Sequence, residues 1–65
     1  MTLVDLIKVM DDDVKVVLYV DHNKVCDGEI VELLEHGFIT PAHLEMIVND
    51  VYFSIIYNAI AIKVE

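Results

Sequence analysis

The chain has no arginine, and its only side-chain cations besides histidine are Lys8, Lys15, Lys24 and Lys63. Twelve Asp and Glu stand against them, for a formal charge of −8. Direct nucleic-acid binding is therefore not expected, because counterion displacement from phosphates needs clustered Lys and Arg. Cys26 is the single cysteine, so no internal disulfide can form and no stapled secreted framework is expected. A reducing cytoplasm is the expected setting. With two glycines the chain has neither a phosphate-cradling loop nor a Gly-x-Ser-x-Gly elbow. No run reaches the roughly 18 consecutive apolar residues of a membrane span. The opening Met1-Thr2-Leu3-Val4-Asp5 carries an early acid in place of a basic signal-peptide start. No membrane association is expected.

What remains is an apolar chain: 57% of its 65 residues are hydrophobic and its mean hydropathy is +0.58. That composition implies one domain over residues 1–65, with a real core inside a one-signed surface. A chain this short buries only about 60% of the surface its unfolded form exposes. Much apolar area would stay in water in a monomer, so a homodimer is expected. The acidic exterior attracts basic protein surfaces and speeds encounter with them.

Periodicity supplies the elements. Thr2 is an N-cap with Asp5 three residues on, and Leu3, Leu6, Ile7 and Met10 mark one face of a helix over 3–10. Asp11, Asp12 and Asp13 oppose the macrodipole and end it. Val14 to Val20 reads as a strand with Val14, Val16, Leu18 and Val20 on one face and Lys15, Val17 and Tyr19 on the other. Its second face is apolar in part, which suits a central strand or a partner contact. Asp21 to Lys24 reads as a four-residue turn into a short strand over 25–27, and Gly28 breaks the pattern. Ile30, Leu33 and Leu34 suggest a helix ending before Gly37. Thr40-Pro41 caps another helix running to about Asn49-Asp50. Val51 to Tyr57 and Ile60 to Val64 alternate as strands about a turn at Asn58-Ala59. The order α-β-β-α-α-β-β predicts an α+β domain: a four-stranded antiparallel sheet with helices on one face.

Candidate chemistry is sparse. His22, His36 and His43 lack an i+4 His or Cys partner, so no metal site is expected. The stretch Asp21 to Gly28 departs from a calcium loop, with Val25 at the third ligand position and Cys26 where glycine is required. Cys26 has no accompanying oxyanion hole and reads as a small core residue. No catalytic residue, metal or cofactor is expected. The acids are the stronger candidates: Asp11, Asp12 and Asp13, the hairpin acids Asp21 and Asp27, and the ridge Glu29, Glu32 and Glu35. On one side of the fold they would imitate a phosphate backbone; otherwise they solubilise a greasy domain. Tyr19 and Tyr52 are candidate anchors at an interface. Tyr52, Phe53 and Tyr57 suit core or dimer packing, or stacking of a base between dimer-related tyrosines.

Thr2-Leu3-Val4-Asp5-Leu6, Asp11-Asp12-Asp13, Val16-Val17-Leu18-Tyr19 and Gly28 with Glu32-Leu33-Leu34 together resemble short acidic proteins of phages and mobile elements of Gram-positive bacteria. The resemblance covers residues 2–35, and Thr40 to Asn49 departs from it as an inserted or altered helix. It implies a stoichiometric inhibitor of host defence, of the kind anti-CRISPR proteins represent, acting in the host cytoplasm. Its implied target is a basic nuclease or other nucleic-acid-handling protein. Two alternatives stand beside it. One is a dimeric sponge for a signalling nucleotide, disfavoured by the few lysines; the other is a structural or assembly component.

Overall fold

Two stretches of the chain are apolar enough to be buried on both sides, and they become the two central strands. In the computed structural model, which describes all 65 residues, these are β1 (Lys15–Val20) and β4 (Ala59–Val64). Val16, Val17 and Leu18 in β1, and Ala61 and Ile62 in β4, are each at most 1% exposed. Runs without polar alternation mark strands covered on both faces. β2 (Asn23–Glu29) and β3 (Val48–Ser54) flank them as edges, giving the order β2-β1-β4-β3. The helices are short: α1 (Leu3–Ile7), α2 (Ile30–Glu35) and α3 (Pro41–Leu44). The chain is thus a small α+β fold with the element order read from the sequence.

The sheet is mixed, however, and not antiparallel throughout. β1 and β4 run parallel, with Val16 beside Ile60 through to Val20 beside Val64. Each hairpin is antiparallel, as its local sequence demands. How two hairpins join is a tertiary matter: placing the two doubly apolar strands side by side hides both. The connection through α2 and α3 carries the chain from one edge of the sheet to the other, which leaves the central strands parallel.

Local departures have equally plain causes. The first hairpin turns in two residues, Asp21 and His22, at φ 49° and 72°. Positive φ at both positions matches the twist of the flanking strands, so β2 starts at Asn23 and runs through Gly28 instead of breaking there. Gly28 sits at φ 147° opposite Val16, a backbone that side chains rarely adopt. α1 stops at Ile7 and not at Met10. α3 stops at Leu44, although its Thr40 cap is present and His43 completes the capping box. Residues 46–48 are taken instead by both chain ends. Leu3 N–H donates to Met46 O at 2.9 Å and Val48 N–H to Met1 O at 2.9 Å, while Ile47 and Glu65 exchange bonds of 2.8 and 3.0 Å. Those four ladder bonds outweigh helix propensity at Ile47 and Val48. β3 ends at Ser54, and Ile55 to Asn58 form a four-residue turn with Asn58 at φ 50°.

One cluster of nine buried side chains forms the core: Leu3, Val16, Leu18, Cys26, Ile30, Leu33, Ile39, Ile62 and Val64. Helices and strands both contribute to it. Val17 and Ala61, register partners on the alternate face of the sheet, lie outside the cluster and yet are 0% exposed. No helix is long and apolar enough to cross a membrane.

Candidate functional site

The acids sort into separate groups. Asp11, Asp12 and Asp13 are exposed in the loop between α1 and β1. That loop is stitched to the first turn of α2: Val31 N–H donates to Asp12 O at 3.0 Å, and Ile30 N–H to Val14 O at 3.1 Å. These are two of the amides that a helix start leaves without intrahelical partners. The stitch sets the backbone of the aspartate loop against the start of α2, which follows the half-buried Glu29 and carries Glu32 exposed in its first turn. Glu35, also exposed, continues the ridge at the last residue of the helix. Two acidic segments about 17 residues apart are thus joined at the start of α2. A negative first turn is favourable for the helix.

Asp21 and Asp27 do not join these segments. Asp21 lies beyond the far end of β1, about 20 Å from the aspartate loop at the usual strand rise. Asp27 is the register partner of Val17 on the other sheet face and holds Lys24 at 3.2 Å. The phosphate-like array therefore has fewer members than the sequence suggests.

Tyr19 and Tyr52 lie on the sheet face that carries Val17 and Ala61. Alternation along β1 puts Lys15 and Tyr19 there. Register adds Lys24 and Lys63 as neighbours of Tyr19, and Tyr52 as neighbour of Ala61. Tyr57, from the β3–β4 turn, completes a trio. The Lys24 ammonium lies 4.5 Å from the Tyr57 ring centre and the Lys63 ammonium 5.6 Å from that of Tyr52, within cation–π range. Three of the four lysines thus share one face with all three tyrosines, and register sets Asp27, Glu29 and Asp50 there among the acids. Burial first, then the nearby Tyr57 and Tyr52 phenols, raise the Tyr19 phenol above its ordinary value. The hydrogen bond to Asp27 raises Lys24.

Sequence reasoning missed this gathering of lysines. The alternation Lys15-Val17-Tyr19 was visible, but Lys24 and Lys63 reach Tyr19 only through strand register. The remaining candidates have structural roles. His43 accepts the Thr40 amide on Nδ1 at 3.1 Å, and its own amide donates to the Thr40 hydroxyl at 3.2 Å. Cys26 is buried at a shallow cleft of about 250 Å³ lined by Val25, Asp27, Leu33 and Phe38. Burial, then Asp27, push its thiol up, which makes a poor nucleophile. No group of three or more His, Cys, Asp or Glu is arranged to hold a metal ion. Comparison with known proteins returns no match: no family model fits the chain, and no curated protein or solved structure is significantly similar to it.

Proposed function

We propose that the chain is a binding protein that docks its acidic ridge onto the basic surface of another protein and blocks it stoichiometrically. The observation that carries this reading is the stitch between Asp12 and Val31, which joins the loop of Asp11, Asp12 and Asp13 to the start of the helix that carries Glu32 and Glu35. The carboxylates of the two joined segments in this reading present an anionic surface of the kind that steers association. In this reading the helices pack on the sheet face bearing Val16, Leu18, Ile62 and Val64. The partner class is a basic nucleic-acid-handling protein such as a nuclease, in keeping with the resemblance to small phage and mobile-element proteins.

The test is capture of partners from a bacterial lysate by the tagged chain, beside an Asp11→Asn, Asp12→Asn, Asp13→Asn variant, at low and high salt. The expected result is a basic protein held at low salt, released at high salt and lost in the variant. Equal capture by the variant overturns the reading.

A second reading is favoured by the tyrosine face: capture of a small anionic aromatic ligand such as a nucleotide, stacked on Tyr19 or Tyr52 beside Lys24 and Lys63. The gathered lysines answer the charge objection that the sequence raised. Quenching of tyrosine fluorescence by added nucleotide, absent in Lys63→Ala, is the measurement; no quenching removes this reading.

A further inference from the structure

The two edges of the sheet are built differently. On β2, Lys24, Asp27 and Glu29 are charged, Lys24 and Asp27 are bridged, and the register slips between Leu18 and Tyr19. Charges and bulges are the usual means of blunting an edge. β3 carries one charge, Asp50 at its own slip, where the carboxylate accepts the Val51 N–H at 2.9 Å, and none beyond it. From Val51 to Ile62 the chain carries no charged residue at all.

That neutral run is also where the exposed apolar surface lies. Val51, Tyr52, Phe53, Ile55, Ile56 and Tyr57 are 44%, 42%, 59%, 87%, 90% and 36% exposed. They make up half of the twelve large hydrophobics the surface carries, within seven consecutive residues. At about 150–250 Å² per large side chain, their uncovered area is on the order of 600 Å². A stable protein–protein interface takes about 800 Å² from each partner, a figure the edge backbone and neighbouring atoms bring within reach.

We infer that β3 pairs with β3 of a second copy, antiparallel about a two-fold axis, to make a continuous eight-stranded sheet. The occupant is fixed by charge. Two copies at −8 each repel wherever their acids face one another, and a two-fold pairing along Val51–Ser54 sets a neutral segment against the same neutral segment. The backbone donors and acceptors that β3 leaves outward then find partners, and Val51 and Phe53 of one copy meet those of the other. A two-fold perpendicular to the sheet keeps like faces together. Tyr52 and its mate therefore become neighbours, and the tyrosine face becomes continuous across both copies. This pairing stands apart from the acidic ridge and requires no partner for it.

Sedimentation of the purified chain across a wide concentration range tests the inference, with Phe53→Lys and, as control, Val25→Lys on the other edge. Both replaced residues are largely exposed, so circular dichroism should show each variant folded. The expected result is a species of twice the 7.4 kDa chain mass. It should weaken at least tenfold in Phe53→Lys, stay unchanged in Val25→Lys, and tighten as salt screens like-charge repulsion. Docking through the acidic ridge weakens with salt, so the two interactions fail separately. A wild-type chain that stays monomeric, a Phe53→Lys variant that dimerises as well as wild type, or open-ended assemblies at neutral pH overturn the inference.

Discussion

Val17 is the most informative single position for testing the sheet. It is 0% exposed although it lies outside the nine-residue core, on the face opposite Val16 and Leu18. Its neighbours there are Lys15 and Tyr19 along β1, Asp27 on β2 and Ala61 on β4. Replacing it with threonine keeps size and branching and adds only a hydroxyl. If the tyrosine face is dry at Val17, that hydroxyl is desolvated beside an Asp27 carboxylate already held by Lys24, at a cost of about 1–3 kcal/mol. A 65-residue chain has a total stability of about 3–10 kcal/mol at the usual 0.05–0.15 kcal/mol per residue. With a urea slope of about 1 kcal/mol/M for so small a chain, the midpoint should fall by roughly 1–3 M. Val25→Thr, at a position 42% exposed, should stay within about 0.5 kcal/mol of wild type. The assay is urea unfolding followed by circular dichroism at one fixed protein concentration, because self-association adds to apparent stability. Equal small shifts in the two variants refute the claim that this face is sealed.

Three further outcomes follow from particular residues. Gly28→Ala should cost about 1–3 kcal/mol, from backbone strain at φ 147° and not from crowding, since the added carbon would sit an ordinary 3.5 Å from Leu33 Cδ2; an unchanged urea midpoint would contradict this. Thr40→Ala removes the cap of α3 and strands the His43 amide, so about 1 kcal/mol should be lost in the same assay. Tyr19 has a raised phenol, so its burial stabilises the fold fully below the ordinary tyrosine value of about 10, and that contribution is lost as pH climbs through the higher folded value. The difference in ultraviolet titration between wild type and Tyr19→Phe should show a phenol ionising late, with stability falling as it does; a difference centred at the ordinary value would disprove it.

The elements were legible where the signal was local. Thr2 with Asp5 and Thr40 with Pro41 carry their caps in four residues each, and both caps form. Alternation in Val14 to Val20 fixed which side chains share a face, and the apolar Val17 already hinted at a central strand. What was not legible required contacts distant in sequence. The parallel pairing of β1 with β4 depends on hiding two doubly apolar strands at once. The early end of α3 depends on residues 1, 3 and 65 competing for the backbone of residues 46–48. The candidate site followed the same division. Glu29, Glu32 and Glu35 read as a ridge from spacing alone, but the contact that joins the Asp11 to Asp13 loop to that helix, and the register that sets Glu29 beside Lys15 on the face of Tyr19, exist only in the folded chain.

The neutral edge and the acidic surface bear on each other. A β-prone, uncharged segment such as Val51 to Tyr57 is the kind that stacks without limit once exposed, and in this chain the only restraint outside the segment is repulsion between copies. At −8 that repulsion leaves pairing open only where no acid intervenes, which permits one β3–β3 contact and resists a second layer. Near the sequence isoelectric point of about 4.5 the restraint disappears. Lowering the pH toward that value should therefore carry wild-type chain past the dimer into large assemblies, seen as rising light scattering with a growth in β-type circular dichroism. Phe53→Lys keeps the acids but places a like charge on the edge itself, so it should stay small at the same pH. If it assembles as readily as wild type, loss of net charge alone is responsible and the edge has no special part; if wild type stays small at its isoelectric point, the acidic surface is not what limits β3.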